Sequence, residues 1–121
     1  MPMTPVQLEA LEKIASEVYD GLLKNSEGAE YLAQHYGINQ GSARMYIDNY
    51  KNLLDGKIVK SGMRIAVVDF FLTKIFEKRG RLTHGQALEA LELHIEYHQE
   101  HNKKAMHSMQ AVLDEQLSKH Y

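Results

Sequence analysis

Cysteine is absent from all 121 residues, and that absence excludes more chemistry than any other feature of the composition. Without thiols there is no disulfide framework, thiolate nucleophile or thiolate metal site, which fits a reducing cytosol. Long apolar runs are missing as well. The longest, from Ile65 to Leu72, is interrupted by Asp69 and falls short of the roughly 18 residues that a bilayer-spanning helix needs. Neither a membrane span nor a membrane partner is expected. The first ten residues carry neither the cationic start nor the apolar centre of a secretory signal, so the expected location is cytoplasmic. There is no Gly-x-Ser-x-Gly elbow and no Gly-Lys-Ser/Thr phosphate loop, and no strand precedes the glycines at 80 and 85. The chain therefore reads as non-enzymatic and without a cofactor.

What is present suits an ordinary globular protein: 44% hydrophobic residues, seven Tyr, three Phe and no Trp. That is enough for one compact domain over 1–121 with a genuine core. The formal charge of −2 hides an asymmetry. Between Gln40 and Arg81 nine Lys or Arg face four acids, a local net of +5, so the remainder sums to −7. A basic middle suits a polyanion, because non-specific nucleic-acid affinity comes mainly from neutralised phosphates. A solvated helix surface of mixed charge accounts for the same residues equally well.

Periodicity predicts helices throughout. Thr4 followed by Pro5 caps a first helix over about 5–23, with Leu8, Leu11, Ile14, Val18 and Leu22 on its apolar stripe. Ser26 is the expected cap of a short second helix that Gly37 ends. Asn39 then caps a third, whose inner face carries Ala43, Tyr46, Ile47, Tyr50 and Leu54 before the stop at Asp55-Gly56. Residues 57–62 form a connection. A fourth helix covers about 63–78, where length outweighs the strand-like Ala66-Val67-Val68, and Arg79-Gly80 stops it. Thr83 to Gln86 has the form of a capping box for the next helix, with Ala87, Leu88, Leu91, Ile95 and either Tyr97 or His98 inward. A last stripe runs through Ala105, Met106, Met109, Val112, Leu113 and Leu117. Asn102 is only a weak break, so one helix or two could span 83–119. The expectation is an all-α compact bundle of five or six helices, with a dimer helix over about 103–119 as one use of the last stripe.

Residues 26–54 have the layout of a helix-turn-helix: Ala33 four residues before Gly37 permits close helix approach, and the glycine supplies positive φ for a three-residue turn. Asn39, Gln40, Ser42 and Arg44 then lie outward at the start of the following helix. Asn and Gln pair bidentately with adenine, Arg with guanine, and Ser or backbone N–H groups with phosphate. Lys51, Lys57, Lys60 and Arg64 are the cations placed to hold phosphates. Any two helices joined by a tight glycine corner share this layout. Tyr31, Tyr36, Tyr46 and Tyr50 would either reach phosphates or serve as half-buried core edges.

His94, His98 and His101 share one helical face, and two histidines four apart can share a divalent metal. No glutamate follows the first histidine as in the zinc-protease helix, so a solvated face with His98 partly packed is favoured and no metal is assigned.

Three segments carry a resemblance: Ser42 to Lys57, which opens Ser42-Ala43-Arg44-Met45-Tyr46-Ile47 and closes Gly56-Lys57, then Phe70-Phe71-Leu72-Thr73-Lys74-Ile75, and Ala87-Leu88-Glu89-Ala90-Leu91-Glu92-Leu93-His94-Ile95-Glu96-Tyr97. Together they resemble the helical module that precedes the nuclease domain in HNH-type restriction endonucleases described as methylcytosine-specific. The resemblance covers about 32–99 and implies a DNA-associated role in positioning or recognition. The sequence stops after that module without an HNH segment, so the resemblance points to a separate nuclease partner rather than to cutting. The resulting expectation is a small double-stranded-DNA-binding homodimer. The alternative is an oligomerisation or adaptor module whose Met63, Met106 and Met109 and last stripe form an adaptable apolar surface. A metal-binding protein built on His94 and His98 is a third.

Overall fold

The computed structural model describes residues 2–101 and 105–121. It contains α1 (Pro5–Tyr19), α2 (Asn25–Tyr36), α3 (Gln40–Leu54), α4 (Ile65–His101) and α5 (His107–His120), with no strand among the described residues. The fold is all-α. No helix among them is long and apolar enough to cross a membrane. The chain divides into two compact units, Met1–Lys51 and Asn52–Tyr121.

In the first unit, the Thr4 hydroxyl accepts from the Gln7 N–H at 3.2 Å, and the Gln7 side-chain oxygen accepts from the Thr4 N–H at 3.0 Å. This reciprocal cap, with Pro5 behind it, satisfies amides that a helix start otherwise leaves open. The Gln7 amide also donates to the Tyr36 carbonyl at 2.9 Å, tying the start of α1 to the end of α2. α1 stops at Tyr19, three residues before its apolar stripe does at Leu22. The Gly21 N–H turns back to the Val18 carbonyl with φ at 80°, and Leu22, expected on the inner stripe, is 73% exposed. The cap of α2 is Lys24 rather than Ser26, because the Glu27 carboxylate accepts from the Lys24 N–H at 2.9 Å.

α1 and α2 pack closely at Gly28, where an added Cβ would lie 2.7 Å from Ile14 Cγ2. Leu11, Ala15, Ala29 and Leu32 form the core around them, joined by Ala43, Ile47 and Tyr50 of α3. The buried Tyr50 hydroxyl donates to the Glu12 carboxylate at 2.9 Å. That contact offsets the cost of holding a carboxylate that is 1% exposed.

In the second unit Gly56, at φ 68°, ends α3. Residues 57–64 then run to α4 without regular structure. α4 contains a break: Gly80 has φ 88° and ψ 178°. The stop expected at Arg79-Gly80 is therefore present, but the helix resumes at Arg81, so Thr83 lies inside the second arm instead of capping it. The first arm buries Val67, Val68, Phe71, Leu72 and Ile75, and the second buries Ala87, Leu88, Leu91 and Ile95.

α5 packs on α4 and buries Met109, Val112, Leu113 and Gln116. The last apolar stripe is thus largely occupied within the unit, with Leu117 and Ala105 left exposed. This removes the stripe as the adaptable outer surface of the adaptor reading. Asn102 and the first two positions of the expected dimer helix, 103 and 104, lie outside the described residues.

Gln116 and His84 join α5 to α4. The His84 ring nitrogens lie 3.0 Å from the Tyr121 hydroxyl and 3.0 Å from the Gln116 side-chain oxygen. The Gln116 amide donates to Asp69 at 3.1 Å and Thr73 at 3.2 Å. Burial pushes the His84 imidazole below its ordinary value of 6.5, the Gln116 bond opposes that shift, and nearby His120 adds to it.

Two outcomes follow from these contacts. Gly28→Ala should lower stability by about 0.5–2 kcal/mol in urea denaturation, the overpacking against Ile14 outweighing the better helix propensity of alanine. Because folding depresses the His84 pKa, its contribution is complete above the unfolded value and is lost as pH falls through the folded one. The urea midpoint should therefore drop from pH 7.5 to pH 5, and His84→Gln should make that dependence shallower.

Candidate nucleic-acid interface

α2 and α3 are joined by Gly37, Ile38 and Asn39 alone. Gly37 takes the left-handed conformation at φ 67° and ψ 21°, which a side chain would resist. Its N–H donates to the Ala33 carbonyl at 3.2 Å, and the Ile38 N–H reaches back to the Leu32 carbonyl at 3.3 Å. Ile38 is buried beside them. Asn39 opens the next helix: its side-chain oxygen accepts from the Ser42 N–H at 3.0 Å and its carbonyl from the Ala43 N–H at 2.8 Å.

α3 leaves this corner with two distinct faces. Ala43, Tyr46, Ile47, Tyr50 and Leu54 are all buried, as their spacing predicts. Gln40, Gly41, Arg44, Asp48 and Lys51 are exposed on the other side, and Ser42 is half-buried. Asn39 is exposed too, yet its amide oxygen is engaged as the cap. The bidentate adenine contact expected of it needs that oxygen.

Two neighbours of this face escape a reading of the local pattern. Asn25 donates from Nδ2 to the Asp48 carboxylate at 2.8 Å and to the Arg44 carbonyl at 3.3 Å. An acid therefore stands one turn after Arg44, pinned by α2. The only sequence signal for it is the four-residue spacing of Arg44 and Asp48 on one helical face.

The expected site residues do not all belong to one unit. Asn39, Gln40, Ser42, Arg44 and Lys51 lie in the first, whereas Lys57, Lys60 and Arg64 lie in the second. The first unit holds four Lys or Arg against seven Asp or Glu, a net of −3, and the second holds ten against nine. Lys57, Lys60 and Arg64 are exposed. The Lys60 ammonium stands 5.7 Å from the centre of the Tyr97 ring, within reach of a cation–π attraction. The Arg64 carbonyl accepts the first helical bond of α4, from the Val68 N–H at 3.1 Å.

The aromatic candidates separate clearly. Tyr46 and Tyr50 are core residues, while exposed Tyr31 lies against His35 and Tyr36 with ring centroids 4.5 and 6.1 Å away.

The histidine face departs from expectation. His94 and His98 are buried, and only His101 is exposed. The His94 Nδ1–H donates to the Val59 carbonyl at 2.6 Å, and burial pushes its imidazole below the ordinary range. The amphipathic pattern conceals this because the partner lies 35 residues away in an irregular segment. No group of three His, Asp or Glu side chains is placed to hold a metal among the described residues.

Removing the cap should destabilise the corner while leaving the side chains of Gln40 and Arg44 unchanged. Asn39→Ala is expected to cost about 1 kcal/mol, as is Gly37→Ala at its positive φ. Gln40→Ala should stay within about 0.5 kcal/mol of the parent in the same denaturation series.

No family model, curated protein or solved structure matches this chain.

Proposed function

We propose that the protein is a non-catalytic binder of double-stranded DNA that presents the first turns of α3 to the major groove. The observation that carries this reading is the three-residue corner at Gly37, after which α3 buries its whole apolar face and leaves Gln40, Gly41 and Arg44 outward. A helix held this way is the element that helix-turn-helix proteins insert, its first residues contacting base edges.

Within this reading, Asn39 is the cap, and Gln40 and Arg44 are the base-reading pair. Ser42, near the start of the helix, serves the phosphate wall. Lys51, Lys57, Lys60 and Arg64 supply phosphate contacts. Because the first unit is net acidic, the cations of segment 57–64 carry more of the attraction than α3 does. The resemblance over 32–99 supports the same role. A homodimer would double the contact, using a surface other than the stripe that α5 buries against α4.

Binding to duplex DNA at about 50 mM and 200 mM salt tests the proposal, since phosphate contacts make affinity fall steeply over that range. Binding at the lower salt that weakens at the higher is expected; no duplex binding at 50 mM rejects it. Arg44→Ala should cost about 1–3 kcal/mol and relax sequence preference, whereas Lys60→Ala should weaken all sequences alike. Equal, sequence-independent losses from both would remove Arg44 from base reading. Stable self-association that ignores added DNA would instead favour the oligomerisation module.

A further inference from the structure

A pocket of about 370 Å³ in the second unit gathers an unusual donor set. His94 and His98 of α4 line it together with Met63 from the preceding segment, Met106 at the entry to α5, and exposed His107 and buried Met109 of α5. Half of the chain's six methionines thus face one pocket.

The two imidazoles are four residues apart on one helix, with ring centroids 4.4 Å apart and planes inclined at 62°. Two imidazoles sharing an ion at metal–nitrogen distances of about 2.0 Å have centroids roughly 4.5–5.5 Å apart, so a small adjustment suffices. His94 is oriented as metal-ligating histidines usually are: its Nδ1–H donates to the Val59 carbonyl at 2.6 Å. Val59 is outside the pocket lining. That bond places the proton on Nδ1 and leaves the Nε2 lone pair as the ligand, with the ring held in position.

We propose that His94 and His98, with thioether sulfur from Met63, Met106 and Met109, form a binding site for one Cu(I) ion. The donor chemistry selects the ion. Imidazole nitrogen and thioether sulfur are soft to borderline ligands that suit Cu(I), whereas calcium, magnesium and manganese require oxygen. No acidic side chain lines the pocket. Structural zinc commonly takes four ligands from Cys, His and carboxylates, and the described residues bring no three His, Asp or Glu together. A purely structural role would use the methionines as adaptable filling between α4 and α5, and such a role is indifferent to replacing sulfur by carbon.

The test is anaerobic titration of the full chain with Cu(I) held by a chromogenic chelator, with circular dichroism confirming the fold of each variant. One tightly bound Cu(I) per chain is expected, with both nitrogen and sulfur in its X-ray absorption shell. His98→Gln and Met106→Leu should each weaken binding about ten-fold or more, while His101→Ala, at an exposed position outside the pocket, should leave it unchanged. His94→Gln removes a buried hydrogen bond and could unfold the unit, so the methionine variants, which conserve volume, carry the decision. A chain that takes no Cu(I) from the chelator overturns the proposal. So does a Met63→Leu/Met106→Leu/Met109→Leu chain that binds Cu(I) as tightly as the parent, or a nitrogen-only shell.

Discussion

Between Tyr36 and Gln40 the backbone must leave one helix and enter another within three residues, and it does so by placing Gly37 at φ 67°. A Cβ at that position would meet the following carbonyl, so the conformation is open to glycine and costly to most other residues. Everything that α3 presents depends on this turn. Asn39 follows at once and caps α3 by accepting from the Ser42 N–H, which fixes where the helix starts and with it the rotation of its faces. That rotation sends Ala43, Ile47 and Tyr50 inward and Gln40 and Arg44 outward. Tyr50 completes the arrangement by carrying a hydroxyl to buried Glu12, so α3 is held by a directional contact as well as by apolar burial.

Charge is distributed less favourably for a polyanion than the basic middle of the sequence suggests. The unit containing the exposed start of α3 is net acidic, and Asp48 lies beside Arg44 under the hold of Asn25. In the proposed DNA reading, attraction and discrimination are assigned to different parts of the chain: discrimination to side chains on α3, attraction to the cations of segment 57–64. Such separation is common in DNA recognition, where phosphate contacts position the protein and base contacts specify the sequence.

The features legible in the sequence are those decided by neighbours along the chain. Thr4-Pro5, Gly37, Asn39, Gly56 and Gly80 mark where helices start or stop because capping and positive φ are local requirements. The inner face of α3 is legible because five apolar residues recur at helical spacing. Helix starts are less so: Ser26 looks like the better cap, yet Glu27 captures the Lys24 amide. Leu22 continues an apolar period that Gly21 has already ended. The histidines were illegible for a different reason. His84 and His94 are buried through partners 32 and 35 residues away, which no periodicity encodes. In the candidate interface the corner is legible, whereas the contact between Asn25 and Asp48 spans 23 residues and is not.

The break at Gly80 has a consequence for the electrostatics of α4. A helix is also a line of aligned peptide dipoles, and interrupting it creates an additional negative pole at the end of the first arm and an additional positive pole at the start of the second. Lys78 and Arg79 sit at that negative pole. Their charges compensate the helix's own carbonyl end, so part of the positive field attributed to them is cancelled within a few ångströms. Two of the nine cations of the basic middle thus act first on α4 itself, leaving a smaller effective charge to be felt by anything outside the protein.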